Sequence, residues 1–325
     1  MITGGTGSLG TALTKKLLNT DVDTIRIFSR DELKQTQMAQ NIDDSRLRFL
    51  IGDIRDKNRL YHALENIDIV IHAAAMKQVP VVEYNPLEAV KTNVYGAQNL
   101  IESCLDRNVE MVLGVGTDKA VSPFNTYGAT KFLMERLFLS SNYYKGYHKT
   151  KLFCVRYGNV MGSRGSVIPL FVNQIKNNSK ITITDPDMTR FNITMNDALE
   201  LIFRALERGQ GGEVFIPKLK AYKLRDVIDV LIELSGKKIE QEIISVRPGE
   251  KYHESLISGD EIRNTYETNE DYVLFEKVTQ GYDIQLNSTL KKSQLSDQYS
   301  SDKVQLLSKK EIKDLIVQEN FLTKY

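Results

Sequence analysis

Short apolar runs alternate with longer amphipathic stretches through the first half of the chain. The runs at 24–29 (TIRIFS), 47–53 (LRFLIGD), 67–75 (IDIVIHAAA), 110–117 (EMVLGVGT) and 151–158 (KLFCVRYG) are apolar at most positions. That is the pattern of strands covered on both faces. Between them lie helical segments at 10–20, 31–41, 56–65, 86–107 and 126–145. Such alternation predicts an α/β fold with a doubly wound parallel sheet. The second half is more mixed. Helices are expected at 167–177, 195–208, 222–235 and 309–319, the last with Ser308 as N-cap, and EVFIP (213–217) can extend the sheet. Segments 158–195 and 240–265 carry Gly, Pro, Arg and Glu at turn-rich positions and read as a smaller mixed α/β lobe closing over the sheet. Residues 266–325 are polar with scattered aromatics, an extension the pattern does not place.

Composition narrows this little. The 325 residues exceed what one small core organises. The net charge of +1 argues against wholesale nucleic-acid or membrane-surface binding, so an anionic ligand must be met by local cations. Cys104 and Cys154 sit in apolar stretches and read as buried thiols of a reducing compartment. The four histidines are scattered, without a CxxC or HExxH pattern, so no metal site is expected. No apolar run is long enough to span a bilayer and no signal peptide is evident; a cytoplasmic protein is expected.

The chain opens MITGGTGSLG, with Gly4, Gly7 and Gly10 three apart before a helical stretch. Glycines let such a turn approach a pyrophosphate closely, and the helix N-terminus offers it N–H groups; Thr6, Ser8 and Leu9 belong to the same turn. Only three residues precede the glycines, fewer than a strand needs. The expectation is a real dinucleotide site in a chain that has lost the start of its first strand. At the end of the second strand stand Ser29 and Arg30, where an NAD site usually has an acidic residue. An arginine suits a 2′-phosphate, so NADP is expected over NAD; the alternative is that Asp31 reaches the ribose. Asp53, followed by Ile54, is the adenine-side contact, and Ala73, Ala74 and Ala75 are small where backbone must approach the cofactor.

Tyr127 and Lys131 are four apart on a predicted helix and share a face. An ammonium beside the phenol stabilises phenolate and makes it a usable base. With these motifs in order, the chain resembles the extended short-chain dehydrogenase/reductases, and within them the configuration-inverting UDP-N-acetylglucosamine 4,6-dehydratases of bacterial surface-glycan pathways. The matching stretches are TGGTGSLG, SRDELKQ, GDIRDKNRL, HAAAMKQVPVVEYNP, TNVYGAQNL, TDKA, YGATK, RYGNVMGSRGSVIP, TDPDMTRF and RPGEKYHE, spanning residues 3 to 255.

The resemblance implies an NADP-binding Rossmann domain over 1–160, completed by roughly 195–235, with a UDP-sugar lobe from 161–194 and 236–265. It implies that Tyr127 takes the proton of the sugar 4-hydroxyl while hydride leaves carbon 4, with Thr117 bonded to that oxygen. Lys119, neutral by desolvation or through the nearby Lys131, removes the hydrogen of carbon 5; Asp118, its pKa raised, protonates the departing 6-hydroxyl. Hydride returns to carbon 6. Lys77, Asn159, Arg164, Arg190, Arg247 and Glu250 match the family's substrate motifs. UDP-N-acetylglucosamine is the implied substrate and a homo-oligomer, dimer or hexamer, the implied assembly. A UDP-sugar 4-epimerase, a configuration-retaining dehydratase and a catalytically idle NADP-binding partner remain alternatives.

Overall fold

The computed structural model describes residues 1–163, 165–275 and 290–324. Six parallel strands come from the first half: β1 (Ile2–Thr3), β2 (Ile25–Ser29), β3 (Leu47–Ile51), β4 (Ile69–His72), β5 (Met111–Val115) and β6 (Lys151–Val155). They lie in the order β3-β2-β1-β4-β5-β6, and the strand Glu213–Pro217 continues the parallel set beside β6. The order reverses on either side of β1, the switch point at which a doubly wound sheet binds its ligand. Although only two residues long, β1 is buried and paired on both sides, Ile2 with Ile27 and Ile71. The Thr3 hydroxyl and His72 Nδ1 are 2.8 Å apart, tying the short strand to the end of β4. Burial, with Lys131 adding to it, holds His72 neutral by pushing its pKa down to about 3.

Helices cover both faces, which is why the strands are apolar almost throughout. On one face α1 (Ser8–Leu17), α2 (Glu32–Asn41) and the helix Met195–Arg208 bury Leu13, Met38, Leu201 and Ile202. On the other, α3 (Lys57–Ala63) and the helices Gly96–Asp106 and Thr126–Tyr144 bury Leu60, Leu100, Ile101 and Phe138. A separate core forms where Val167–Lys176, Leu224–Ser235 and Lys309–Gln318 meet through Phe171, Ile228 and Ile312. Ser308 caps the last of these in a capping box with Glu311. No helix among the described residues is long and apolar enough to cross a membrane.

Three segments depart from the expected pattern. The single helix foreseen at 86–107 is a turn at Pro86–Ala89, a π-helical stretch at Val90–Tyr95 and the helix Gly96–Asp106. The wide turn carries Asn93, whose amide bonds both backbone groups of Met76 and the hydroxyl of Thr130. The helix foreseen at 222–235 starts at Leu224, because Ala221–Lys223 pairs with Thr189–Phe191. The described parts of the extension join the fold. Asp271–Phe275 runs antiparallel to Glu213–Pro217, followed outward by Thr265–Glu267 and Lys291–Lys292, while Tyr299–Ser300 pairs with Ser255–Ile257.

One buried ion cluster ties this late part of the chain to the sheet. Arg156, at the end of β6, bonds Glu135 at 2.7 Å, Glu261 at 2.9 Å and the carbonyl of Leu256 at 2.9 Å. Arg156 and Glu135 are almost fully buried. Such a cluster adds little net stability, but it fixes where segment 254–261 lies, because moving any partner strands a buried charge.

Candidate active site

A cleft of about 1530 Å³ opens along the carboxyl ends of the parallel strands. It brings together Gly4, Thr6, Gly7, Ser8, Leu9, Gly10, Ser29, Arg30, Ile54, Ala73, Ala74 and Ala75 on the sheet side with Thr117, Lys119, Tyr127 and Lys131 at its centre. From the second half it adds Asn159, Arg190, Arg247 and Glu250, with Lys77 from the loop after β4. Asp53 and Asp118 are not among the lining residues. Arg164 lies outside the described residues.

The glycine turn is built for close approach. Gly4 has φ +66°, and a Cβ there would stand 2.9 Å from the backbone of Ala74. Any side chain at Gly10 would strike the backbone of Gly5 at 2.4 Å. Gly7 is the N-cap of α1, so no side chain closes the helix N-terminus where it meets the cleft. This cradle fits the pyrophosphate of a dinucleotide. At its far end Arg30 lines the cleft with 57 % of its side chain exposed. Asp53 turns away: its carboxylate is bonded by Arg55 at 2.7 Å and lies 3.6 Å from Arg30. Asp31 lines the cleft as well; its carboxylate caps α2 at the N–H of Lys34 and pairs with the Lys34 ammonium. Lys34 also lines the cleft, a second cation that the sequence reading passed over because it looked like an ordinary residue of a solvated helix.

The helix Thr126–Tyr144 begins at Asn125, whose side chain accepts from the N–H of Gly128 and donates to the carbonyl of Gly249 at 2.8 Å. One residue thus fixes both the start of the helix and the loop holding Arg247 and Glu250. Tyr127 and Lys131 share the buried face, one turn apart. Burial pushes the Tyr127 phenol up; the groups that pull it back are the Lys119 ammonium and the Thr117 hydroxyl. The expected depression by Lys131 is therefore not the dominant effect. Lys131 is itself brought down to about 8 by burial, against Glu135 and Cys154, and its ammonium points to Met134 Sδ.

Lys119 departs most from expectation. Its Nζ lies 3.1 Å from Asp118 Oδ1, 3.3 Å from Asn159 Oδ1 and 3.5 Å from Glu254 Oε1. Burial favours the neutral amine, and Arg190 helps, but the two carboxylates outweigh both and raise its pKa above the usual lysine value. The two carboxylates thus favour the ammonium, against the neutral form that a base role requires. Asp118 is 1 % exposed and also accepts from Thr117 Oγ1 at 2.9 Å. Glu254 is the residue the sequence reading missed, although it ends the RPGEKYHE stretch. Its side chain is 3 % exposed and lines the cleft, and Oε2 has no hydrogen-bond partner among the described residues. Thr92, on the π-helical turn, likewise lines the cleft with an unpartnered hydroxyl. Arg190 is held by the carbonyls of Thr189 and Tyr252 and lies 3.4 Å from Glu250. No group of His, Cys, Asp and Glu among the described residues could hold a metal ion.

Gly4→Ala tests the cradle. The substitution forces a side chain into left-handed backbone and against Ala74, so dinucleotide affinity should fall at least about tenfold, roughly 1.4 kcal/mol. Titration calorimetry with NADP⁺ reads this, and unchanged affinity contradicts the assignment of the turn.

Residues 1–276 match the family described as polysaccharide biosynthesis protein. A Campylobacter jejuni protein named UDP-N-acetylglucosamine 4,6-dehydratase (inverting) is 44 % identical over 97 % of this chain and 96 % of its own length. A Rickettsia prowazekii protein named UDP-glucose 4-epimerase is 40 % identical over 100 % of this chain and 96 % of its own. The crystal structure of Pen from Bacillus thuringiensis superimposes with a TM-score of 0.92 at 42 % identity, covering 99 % of this chain and 97 % of that one. The chain belongs to the polysaccharide biosynthesis protein family, on the Rossmann fold of the extended short-chain dehydrogenase/reductases.

Proposed function

We propose that this chain is a UDP-N-acetylglucosamine 4,6-dehydratase that inverts carbon 5 and works with NADP. The observation that carries the reading is the charged group in which Lys119 and Glu254 line one cleft with Tyr127, Thr117 and the glycine turn while buried Asp118 backs Lys119. A 4-epimerase needs a base for the 4-hydroxyl, which Tyr127 supplies, but no acid and base for carbons 5 and 6. The relatives named epimerase keep that second reading in view; the Lys119–Glu254 pair in the same cleft as Tyr127 favours dehydration.

In this reading Tyr127 accepts the proton of the 4-hydroxyl, its phenolate favoured by Lys119 and by the Thr117 hydroxyl. A nicotinamide dinucleotide held by the glycine turn would supply the hydride acceptor for carbon 4 and the hydride donor for carbon 6. Lys119, once neutral, removes the proton that the new ketone acidifies at carbon 5. Asp118 supplies the proton with which the 6-hydroxyl departs as water; it acts from behind the cleft wall, where its hydrogen-bond partners Thr117 and Lys119 both line the cleft. Arg190 and Arg247 meet the diphosphate, Glu250 a ribose hydroxyl, and Asn159 and Lys77 the sugar or nucleotide. Arg30 and Lys34 meet a 2′-phosphate.

Incubation with UDP-N-acetylglucosamine in deuterated water, followed by NMR, tests the reaction. The expected product has a carbon-6 methyl, a 4-keto group, deuterium at carbon 5 and inverted configuration there. A carbon-4 epimer without deuterium at carbon 5, or no conversion, contradicts the reading. For the cofactor, NADP⁺ should bind at least about tenfold tighter than NAD⁺, and Arg30→Ala should erase most of that preference. Equal affinities in the unmodified protein remove the NADP assignment.

A further inference from the structure

We propose that Glu254 is the internal acceptor of the Lys119 ammonium proton, the positioning residue that turns this lysine into the neutral base dehydration requires. The proposal rests on the reading of Lys119 as the carbon-5 base. The problem it answers is physical: a base must offer a lone pair, and two carboxylates within 3.5 Å of Nζ favour the ammonium, which has none. Three groups touch its Nζ. The Asn159 amide oxygen is too weakly basic to take a proton. Asp118 is already engaged as the acid for the 6-hydroxyl, and its Oδ1 accepts from both Thr117 and Lys119. Glu254 is different. Oε1 stands 3.5 Å from the ammonium, while buried Oε2 has no hydrogen-bond partner among the described residues. An under-bonded carboxylate away from water is costly, and protonation removes that cost. Burial accordingly pushes the Glu254 carboxyl up.

The residue is rigidly mounted. Its N–H donates to Ser301 Oγ at 3.0 Å and its carbonyl accepts from the Ser301 N–H at 2.8 Å. Ser255–Ile257 then pairs with Tyr299–Ser300, and Arg156 grips the Leu256 carbonyl. The charged groups facing Glu254 are Lys119 and Asp118 from the 117–120 turn, Arg190 from the strand Thr189–Phe191, and Lys251 from its own segment. Tyr127 and Tyr222 face Lys119 from the other side, and His253 is bonded to Thr189.

Before substrate binds, the ion pair is favoured. A sugar seated over the cleft lowers the local dielectric and penalises both charged forms together. The Nζ–H bond then breaks as an Oε–H bond forms, giving a neutral amine beside a neutral acid with the pair's net charge unchanged. Nζ then takes the carbon-5 proton and is an ammonium again; carbon 5 is reprotonated from solvent, and Glu254 releases its proton to solvent as product leaves, which restores the ion pair.

The test is Glu254→Gln, of the same shape but unable to take the proton, compared with Glu254→Asp. With UDP-N-acetylglucosamine and bound cofactor, the Gln variant should dehydrate about 100-fold more slowly at neutral pH. Its rate should climb with pH into the alkaline range where the unmodified protein is flat, because Lys119 must then lose its proton to solvent. Glu254→Asp should keep the original pH profile at reduced rate. A Gln variant with the original profile, at full or uniformly lowered rate, overturns the proposal. A measurement that needs no Glu254 variant uses Tyr127→Phe, blocked at the first step. Binding UDP-N-acetylglucosamine to it should release no proton to a pH indicator, whereas release near one per site means that solvent is the acceptor and overturns the proposal. An unmodified protein that makes no 4-keto product sinks the dehydratase reading itself; product formation with an unmoved Gln profile sinks the Glu254 role alone.

Discussion

A lysine ammonium taken almost wholly out of water costs several kcal/mol unless charges and hydrogen bonds replace the lost solvent. Lys119 is such a group, and the site is organised around meeting that cost. Asp118 comes from the same turn, Asn159 from the loop after β6, and Glu254 from a segment more than a hundred residues further on. The last contact obliges the second half of the chain to return to the carboxyl edge of the sheet and stay there. Arg156, bonded at once to Glu135, Glu261 and the Leu256 carbonyl, is the internal clamp that keeps it in place.

The dinucleotide side and the sugar side of the cleft are linked by equally specific contacts. Asn125 starts the helix that carries Tyr127 and Lys131 and also holds the Gly249 carbonyl, so the loop of Arg247 and Glu250 is registered to the catalytic helix. Asn93, on its π-helical turn, joins the loop after β4 to the same helix through Met76 and Thr130. Tyr127 therefore faces Lys119 by construction, and each biases the other: the ammonium favours phenolate, and the tyrosine in turn raises the lysine.

Much of this was legible in the chain. Strands covered on both faces are apolar without interruption, so β2 to β6 stood out, and the glycine spacing marked the turn before α1. What escaped was decided by partners distant in sequence. Glu254 is a single carboxylate in a polar stretch with no periodicity; only the pairing of Ser255–Ile257 with Tyr299–Ser300 buries it. The π-helical turn depends on the partners of Asn93, and the strands after residue 265 depend on the free edge of Glu213–Pro217. At Lys119 desolvation favours the neutral amine and Asp118 opposes it; the second carboxylate, Glu254, which adds to that opposition, was unseen.

The account's central claim is that Lys119 serves the second proton transfer and not the first. Measuring carbon-4 hydrogen exchange and product formation together in Lys119→Ala tests it most directly. The account predicts that exchange between carbon 4 of UDP-N-acetylglucosamine and the bound cofactor continues slowly, through Tyr127, while no 4-keto-6-deoxy product accumulates. Dehydration at the rate of the unmodified protein would contradict it.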